Sequence, residues 1–400
     1  MNERIKKKIN FVKNEFTSLN KQVQLPMKIA FLSTFYPYRG GIAQFNASLF
    51  RALEKNHTVQ LFNFSLQYPS LLFPGTTQYV NAEDKADALE SSRTLNAINP
   101  LSYQKTAREI LAYNPDLLII GYWMPFMGPC LGYISGKLAK KTKVITIVHN
   151  AVPHEQSKLD RVLSNYFFKR TQHVIALSEA VKKDINHAYP SVKVDVIPHP
   201  SYTHFGNPIE KEQALAQLNL PSDKKILLFF GLIRAYKGLD ILIEAMRFLD
   251  ETYHLVIAGE AYEDWDKYRQ LLEENNLHNR VHLHKRYIPD HEVPLFFSAA
   301  DCCVLPYKSA TQSGIVAIAQ AFNLPVIASN VGGLSEFIQD GKNGMLLSPP
   351  LTGKHFAETI KKVVESNLLK AMRAELKISS NHFTWDDFAS SLLNLLKYKS

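Results

Sequence analysis

Two cations on a short loop are the clearest indication of chemistry in the chain. In FFGLIRAYKGLDILIEAM, residues 229–246, an apolar run stops at Gly231, Arg234 and Lys237 follow, and Gly238 precedes an amphipathic helix. A guanidinium donates hydrogen bonds to two oxygens of a phosphate, an ammonium supplies a point charge, and a helix N-terminus favours anions. The stretch therefore predicts a diphosphate site, and the alternative is a pair of solvated charges on a loop.

A second candidate group follows another apolar run. VHNAVPHE, residues 148–155, contains His149 and Glu155. An imidazole donates to a substrate hydroxyl or carries a proton, and a carboxylate acts as base or orients a hydroxyl. Both residues are candidate catalytic residues, together with Arg234 and Lys237. A histidine at a strand end is also commonly a packed, hydrogen-bonded residue, and this alternative stays open.

Two glycine pairs precede helical segments. YRGG, residues 38–41, ends with Gly40 and Gly41, and VGGLSEF, residues 331–337, contains Glu336 after its glycines. Paired glycines let a phosphate or a sugar approach backbone N–H groups, and Glu336 is a candidate acceptor for hydroxyls of a sugar or ribose. The alternatives are a tight turn and a glutamate that caps a helix.

The stretch SATQSGIVAIAQAF, residues 309–322, has the composition of a phosphate-binding helix start. Thr311, Gln312, Ser313 and Gly314 supply hydroxyls, an amide and backbone N–H groups ahead of an apolar helix. No carboxylate lies between Asp301 and Glu336 in the sequence, although a sugar-handling site is expected to show some.

Metal chemistry is disfavoured by the spacing of the candidate ligands. EDWD, residues 263–266, contains an Asp-x-Asp pair, but acidic residues at a helix start also favour the positive helix end. His282 and His284 alternate on one predicted strand without a third ligand. Cys302 and Cys303 lie inside an apolar run and are predicted to be core residues. The sequence therefore predicts no bound metal.

The composition excludes several classes of protein. The 400 residues are 46% hydrophobic and 21% charged, and three cysteines cannot form a disulfide framework. Of the net charge of +9, residues 1–28 carry +5, since they hold seven Lys and Arg against two Glu. The remaining chain is too weakly basic for a nucleic-acid-binding body. A cytoplasmic protein with a basic tail is expected.

Alternating apolar runs and helical segments position these candidates. Strands are predicted at 28–34, 57–64, 116–123, 143–150, 173–178 and 194–199, and again at 225–231, 254–259, 280–286, 301–306 and 324–329. Continuous apolar strands separated by helices predict doubly wound parallel sheets, with ligands at the carboxyl ends of the strands. The uncharged stretch 117–136 contains four glycines and two prolines, so we predict a strand, a loop and a helix in preference to a membrane span.

The motifs together resemble a known family. KIAFLSTFYPYRGGI, GLIRAYKGLDILIEA, VIAGE, LPVIASNVGGLSEFI and DGKNGMLLSPP are similar to segments of the retaining GT-B glycosyltransferases, the group that includes bacterial glycogen synthases and mannosyltransferases. The resemblance implies two Rossmann-like domains facing a cleft. We divide the chain into a basic extension, an acceptor-side domain, a nucleotide-sugar-binding domain and a helix that crosses back, with the bounds 1–26, 27–203, 204–384 and 385–400.

The resemblance also implies roles for individual residues. Arg234 and Lys237 are expected on the donor diphosphate, Gly40 and Gly41 beside the sugar and phosphate, and His149 near the donor sugar. The loop Arg286, Tyr287 and Ile288 is expected to hold the base. The donor is a nucleoside-diphosphate sugar, the acceptor a glycan or a lipid-linked molecule, and neither a metal nor a cofactor is required.

The chain departs from the family at one place. Two glutamates usual in the family correspond to Ala310 and Ile318 here. We interpret the site as a variant donor site, because the leaving phosphate itself is thought to help deprotonate the acceptor in this family. A catalytically silent module that binds a nucleotide sugar or a partner glycosyltransferase remains the alternative, and an epimerase or phosphorylase on the same fold is a third reading.

The N-terminal extension is predicted to be a basic amphipathic helix. Ile5, Ile9, Val12, Phe16 and Leu19 recur at spacings of three or four residues among several lysines. Such a helix through residues 1–24 would place the enzyme peripherally on the anionic inner leaflet of the membrane. A helix packed on its own first domain, or a frayed tail, is the alternative.

Overall fold

The computed structural model describes residues 25–69, 77–80, 87–150, 158–200, 202, 205–310, 313–379 and 383–396. The predictions for residues 1–24, Glu155, Thr311 and Gln312 lie outside the described residues. Within the described ranges the chain forms two parallel sheets with helices packed on both faces of each. The predicted α/β class with two Rossmann-like domains is confirmed.

The first sheet has the strand order β3-β2-β1-β4-β5-β6-β7. Its strands are β1 (Lys28–Leu32), β2 (Thr58–Leu66), β3 (Ser92–Asn96), β4 (Leu117–Tyr122), β5 (Lys143–Val148), β6 (His173–Ala176) and β7 (Val194–Val196). The central strand β4 is buried at every position. Its run of apolar residues therefore contacts helices on both faces of the sheet, as expected for a central parallel strand.

Helices cover the two faces of this sheet unequally. They are α1 (Gly41–Leu53), α2 (Pro100–Tyr113), α3 (Gly128–Leu138), α4 (Lys158–Phe168) and α5 (Glu179–Ala188). One face packs against α1, and the opposite face packs against α2, α3, α4 and α5. This second layer therefore forms a continuous helical surface on one side of the first domain.

The uncharged stretch 117–136 forms strand β4, a loop and most of helix α3, as predicted. Glycines on α3 allow α4 to approach closely, since a Cβ atom at Gly128 would lie 2.3 Å from the carbonyl oxygen of Leu163. The described part of the chain contains no helix that is both long enough and apolar enough to cross a bilayer.

The second sheet has the strand order β10-β9-β8-β11-β12-β13. Its strands are β8 (Lys225–Phe230), β9 (Tyr253–Ala258), β10 (Val281–His284), β11 (Cys302–Leu305), β12 (Val326–Ser329) and β13 (Gly344–Leu347). The accompanying helices are α6 (Lys211–Gln217), α7 (Leu239–Met246), α8 (Asp266–Glu274), α9 (Val293–Ala299), α10 (Gly314–Ala321), α11 (Leu334–Phe337), α12 (Gly353–Val364) and α13 (Leu368–Ser379). Cys302 and Cys303 are buried on β11, as predicted.

The last described helix, α14 (Trp385–Asn394), packs against α1 of the first domain. Thr384 and Asp387 cap its N-terminus reciprocally, and the rings of Phe388 and Phe45 contact each other with centroids 5.5 Å apart. The chain thus returns to its first domain after completing the second sheet. The residue boundaries assigned to the domains from the sequence stay predictions.

Candidate active site

The carboxyl ends of the strands in both sheets border a cleft of about 560 Å³ between the domains. Loops that follow β1 and β5 line it from the first domain, and loops that follow β8, β9 and β11 line it from the second. Ligand sites in doubly wound sheets lie at this end of the strands, because the loops there are free to diverge around a bound molecule.

Arg234 and Lys237 both line this cleft. The Lys237 side chain is buried, with its residue only 8% exposed, and its ammonium lies 5.7 Å from the centre of the Tyr307 ring. Burial, and secondly the nearby Arg234 guanidinium, lower the pKa of Lys237 to about 8. Among the described residues no carboxylate forms an ion pair with either cation. A buried positive charge without a counterion is a site for an anion.

Glycines hold this cationic loop in its conformation. Gly238 has a φ of 69°, and a Cβ atom there would lie 2.0 Å from the carbonyl oxygen of Pro306. Gly231, at the end of β8, has a φ of 95°, and an added Cβ would lie 3.2 Å from Nζ of Lys237. Glycine is therefore required at 238 for the turn, and at 231 it leaves space beside the ammonium.

The first-domain glycine pair borders the same cleft. Gly40 and Gly41 line it, and Gly40, with a φ of 109°, precedes α1 without a capping side chain. An added Cβ at either glycine would meet no atom within 4 Å. The backbone at the start of α1 is therefore open toward the cleft, and a helix N-terminus of this kind favours a negative ligand.

His149 lies at the end of β5 and lines the cleft. It is 5% exposed, and its ring contacts the edge of Phe45 with centroids 4.8 Å apart. Burial, and secondly His199, lower the pKa of His149 to about 3. The imidazole is therefore neutral at physiological pH, and it offers a ligand a hydrogen bond and not a positive charge.

The helix start in the stretch 309–322 is also placed at the cleft. Ser313 and Gly314 line it at the N-terminus of α10, and the Ser313 hydroxyl lies 3.3 Å from the Tyr307 hydroxyl. Ala310 and Ile318 are buried among apolar side chains of the second domain. At these two positions, where the family resemblance predicts glutamates, the chain thus has apolar residues, and Ile318 lines the cleft.

Only part of the loop predicted to contact the nucleotide base of the donor lies at the cleft. Tyr287 and Ile288 line the cleft. The side chain of Arg286 is half exposed and forms an ion pair with Glu292. The structure thus brings two of these three residues to the cleft and directs the third side chain toward Glu292.

Glu336 does not line the cleft. Its carboxylate accepts hydrogen bonds from the backbone N–H groups of Glu179 and Ala180, both at 2.7 Å. These N–H groups belong to the first turn of α5, so a second-domain carboxylate caps a first-domain helix. The role in hydroxyl binding predicted for Glu336 stays a prediction, and its observed contact joins the two domains.

Two further polar pairs cross the cleft, and sequence reasoning missed them. Arg39 forms a buried ion pair with Glu260, and its guanidinium lies 4.6 Å from the centre of the Tyr287 ring. Gln44 donates a hydrogen bond to Asp290. Arg39 belongs to the motif YRGG and Glu260 to the motif VIAGE, and both motifs were identified in the sequence. Because 221 positions separate the two residues, no local sequence pattern predicts their contact.

Aromatic side chains form much of the remaining cleft wall. Tyr68, Trp123 and Tyr202 line it, and Trp123 donates to the Tyr68 hydroxyl at 2.6 Å. A Cβ atom at Gly314 would lie 3.2 Å from the Tyr202 hydroxyl, which places this tyrosine beside the start of α10. Within the described residues no group of three or more His, Cys, Asp or Glu side chains is arranged to hold a metal ion.

Comparisons with known proteins agree with this architecture. Residues 39–201 match the family model described as Glycosyltransferase Family 4, and residues 210–380 match the model described as Glycosyl transferases group 1. A D-inositol 3-phosphate glycosyltransferase from Catenulispora acidiphila is 30% identical over 247 residues, which cover 58% of this chain and 56% of that protein. The chain thus spans about half the length of this relative.

Solved structures show the same fold. Sucrose-phosphate synthase from Thermosynechococcus elongatus superposes with a TM-score of 0.72 at 20% identity, covering 93% of this chain and 98% of that one. HepE from Anabaena, solved in complex with UDP and glucose, gives a TM-score of 0.70 at 19% identity, covering 93% of this chain and all of that one. With a family model matching each domain, the chain belongs to the family 4 (group 1) glycosyltransferases and has their GT-B fold.

Proposed function

We propose that the chain is a retaining glycosyltransferase that transfers a hexosyl unit from a nucleoside-diphosphate sugar to a glycan or a lipid-linked acceptor, without a metal ion or cofactor. Its place is the synthesis of a bacterial surface polysaccharide or glycolipid. The alternative is a catalytically silent module that binds a nucleotide sugar or a partner glycosyltransferase, and the apolar residues at Ala310 and Ile318 favour it.

The buried ammonium of Lys237 carries this proposal. A lysine that is 8% exposed, has a pKa lowered to about 8 and forms no ion pair among the described residues is costly for the unliganded protein. A diphosphate in the cleft would supply the missing negative charge, which accounts for the residue type.

Several groups around Lys237 suit the other parts of such a donor. The N-terminus of α10 at Ser313 and Gly314 and the open backbone at Gly40 suit phosphate and sugar oxygens. Tyr287 and Ile288 offer an apolar and aromatic wall for a base. All of these groups line the same cleft as Lys237.

The proposed reaction follows from these groups. The acceptor oxygen forms a bond to the anomeric carbon on the face that the diphosphate leaves, the bond between this carbon and the phosphate oxygen breaks, and the acceptor proton passes to the departing phosphate. Lys237 and Arg234 stabilise the charge that develops on that phosphate. Neutral His149 is placed to hydrogen-bond a sugar hydroxyl, and its low pKa makes it unsuitable as a proton donor.

The location of the acceptor is part of the proposal. Residues 1–28 carry seven Lys and Arg against two Glu. We place the protein in the cytoplasm, with residues 1–24 in contact with the anionic inner leaflet, where a lipid-linked acceptor is available.

The decisive experiment measures nucleotide binding and then release. Thermal shift with UDP-, GDP- and ADP-sugars identifies the donor, because a bound ligand raises stability by mass action. Release of nucleoside diphosphate is then followed with a panel of acceptors in excess EDTA, and product anomers are assigned by NMR.

Lys237→Met should abolish donor-induced stabilisation, and Lys308→Met, which removes an exposed lysine paired with Asp240, should preserve it. Donor binding without release on any acceptor would favour the silent module. Donor binding unchanged by Lys237→Met would refute the site assignment.

A further inference from the structure

The two walls of the cleft differ in charge. The second domain contributes the cations Arg234 and Lys237, to which the proposed function assigns the donor diphosphate. Within the described ranges, Arg39 is the only Lys or Arg that the first domain contributes to the lining. Its guanidinium forms a buried ion pair with Glu260. The described part of the first-domain wall therefore has no cation that is available to a further anion.

The histidines of this wall do not change its charge. Burial lowers the pKa of His149 to about 3 and that of His199 to about 4, so both imidazoles are neutral at physiological pH. Between residues 25 and 200, the segments outside the described residues contain a single Lys or Arg, Lys85. A phosphate group buried against the described wall would lack a counterion from the first domain, and burying an unpaired charge is costly.

A chain of hydrogen bonds runs through the same wall and ends at Tyr68. The Thr34 hydroxyl donates to Oε1 of Gln67 at 2.8 Å, and the indole N–H of Trp123 donates to the Tyr68 hydroxyl oxygen at 2.6 Å. The Gln67 side chain is also hydrogen-bonded to this hydroxyl. All four side chains line the cleft. We call these four residues the Tyr68 network.

The direction of these hydrogen bonds makes the Tyr68 hydroxyl a donor. Because Oε1 of Gln67 accepts from Thr34, its amide N–H is the group that donates to Tyr68. The phenolic oxygen thus accepts from both Gln67 and Trp123, and its remaining hydrogen-bonding capacity is the O–H itself. Burial raises the pKa of Tyr68, and its hydrogen bonds and the charge of Arg234 only partly oppose this, so the hydroxyl keeps its proton at physiological pH.

We propose that the acceptor presents an uncharged sugar to the first-domain wall, that a hydroxyl oxygen of this sugar accepts the hydrogen bond of Tyr68, and that sugars carrying a phosphate are excluded. The inference rests on the proposed function and names the class of acceptor within it. Neutral donors and acceptors suffice to bind a sugar hydroxyl. A phosphate would need a cation, and the guanidinium of Arg39 is already paired with Glu260.

The place of Tyr68 in the cleft suits this role. The charge of Arg234 acts on its hydroxyl, although the two residues belong to different domains. The Tyr68 network therefore lies close to the cationic loop that is proposed to bind the donor diphosphate. An acceptor sugar held there has a hydroxyl within reach of the reacting carbon of the donor.

Ligand-observed NMR on the full chain tests the class of acceptor. The protein is saturated with UDP, GDP and ADP together, so that the diphosphate site is occupied whichever base it prefers. Binding of the methyl glycosides of glucose, galactose and mannose is then compared with binding of their 6-phosphates. At least one neutral glycoside should bind, and its 6-phosphate should bind at least about ten-fold more weakly. Tighter binding of the 6-phosphates, or binding by none of the glycosides, would overturn the proposal.

Tyr68→Phe tests the hydroxyl, because the variant keeps the ring. The affinity for the bound glycoside should fall by about five-fold to ten-fold, whereas the affinity for nucleoside diphosphate should not change. In kinetics the KM for the acceptor should rise and the KM for the donor should stay constant. Tyr36→Phe is the matched control, since Tyr36 is a first-domain residue that is 41% exposed, and it should bind like the wild type. An unchanged acceptor affinity in Tyr68→Phe, or an equal loss of donor affinity, would contradict the assignment.

Thr34→Val tests the network behind the hydroxyl. Thr34 is a positioning residue, since it contacts Gln67 and acts on the acceptor only through Tyr68. The single variant should weaken glycoside binding by about two-fold to five-fold, and it should have no further effect when it is added to Tyr68→Phe. Additive losses would show that Thr34 acts independently of Tyr68 and would refute the network.

The inference and the proposed function fail separately. Glycoside binding without release of nucleoside diphosphate from any sugar donor supports the assignment of the wall and counts against a transferase. Release that occurs only with phosphorylated acceptors supports the transferase and overturns the uncharged acceptor.

Discussion

Replacing Lys237 with methionine should stabilise the unliganded protein while it weakens donor binding. The two side chains have similar length, but methionine has no charge to bury. Burial lowers the pKa of Lys237 from 10.5 to about 8, and one pKa unit corresponds to about 1.4 kcal/mol, so holding the ammonium protonated in the empty cleft costs roughly 3 kcal/mol.

Two magnitudes follow from this cost. At neutral pH the variant should unfold at a higher temperature, by roughly 2–4 °C for each kcal/mol recovered in domains of this size. A charge-assisted contact to phosphate contributes roughly 1.5–3 kcal/mol, so affinity for the nucleoside diphosphate should fall by about ten-fold or more. Opposite changes in stability and in affinity are typical of a residue kept for binding and not for folding.

The pH dependence of stability gives an independent check. The native pKa of Lys237 lies below its unfolded value of 10.5, so between pH 8 and pH 10.5 the unfolded state binds more protons than the native state. Wild-type stability should therefore rise with pH in this window through this lysine. The methionine variant lacks this contribution, and its advantage over the wild type should shrink as pH rises.

The assay is thermal and urea unfolding with and without nucleoside diphosphate, combined with titration calorimetry. Lys308→Met is the control, because Lys308 is 47% exposed and its partner Asp240 lies 2.6 Å away; it should change neither quantity appreciably. A methionine variant that is less stable than the wild type and binds the donor equally well would show that Lys237 supports the fold, and the reasoning would fail.

Three further predictions concern individual side chains. Affinity for nucleoside diphosphate should fall by about ten-fold from pH 7 to pH 9 as Lys237 loses its proton, and Lys237→Arg should flatten this profile in calorimetry; equal slopes would contradict it. Gly238→Ala should lower the free energy of unfolding in urea by at least about 2 kcal/mol, because its Cβ would lie 2.0 Å from the Pro306 carbonyl oxygen. Gly341→Ala is the control: it has a similar φ of 73° but no atom within 4 Å of the added Cβ, so the decrease should be about 1 kcal/mol. Glu336→Gln should accelerate hydrogen exchange of the two amides at the start of α5 by roughly five-fold, since a charged cap is worth about 1 kcal/mol; unchanged exchange would show that the contact does not hold the domains.

The buried parts of the fold were predictable from local patterns. Strands such as β4 and β8 are apolar runs whose burial on both faces follows from their composition. The edge strands β3 and β13 were missed, because SRTLN is polar and buries only Leu95 among its five residues, and GMLL is four residues long. Neither segment shows the longer apolar run by which the other strands were predicted.

The placement of Arg234 and Lys237 at the cleft was predictable, because both lie on one loop that follows a buried strand. Their role in binding a diphosphate stays a prediction. The predicted role of Glu336 in binding hydroxyls stays a prediction, and its hydrogen bonds to the start of α5 in the other domain were not predicted. Such contacts depend on how the domains pack, which a local pattern does not encode.

If the cleft binds a nucleoside diphosphate as proposed, the charges on its walls link domain closure to donor binding. Among the described residues, the carboxylates that line the cleft are Glu260 and Asp290, and both belong to the second domain, as Lys237 does. Arg39 and Gln44 of the first domain bind them. If the domains separated, Glu260 would lose its ion pair with Arg39, and its carboxylate would repel a diphosphate bound at Lys237. This repulsion would be strongest in a nearly closed cleft, where the dielectric constant is low.

In the described arrangement Arg39 neutralises Glu260, and the neutral Gln44 amide only donates a hydrogen bond to Asp290. For the proposed donor site, closure therefore removes the repulsion between Glu260 and a bound diphosphate. By linkage, a bound diphosphate must favour closure to the same extent.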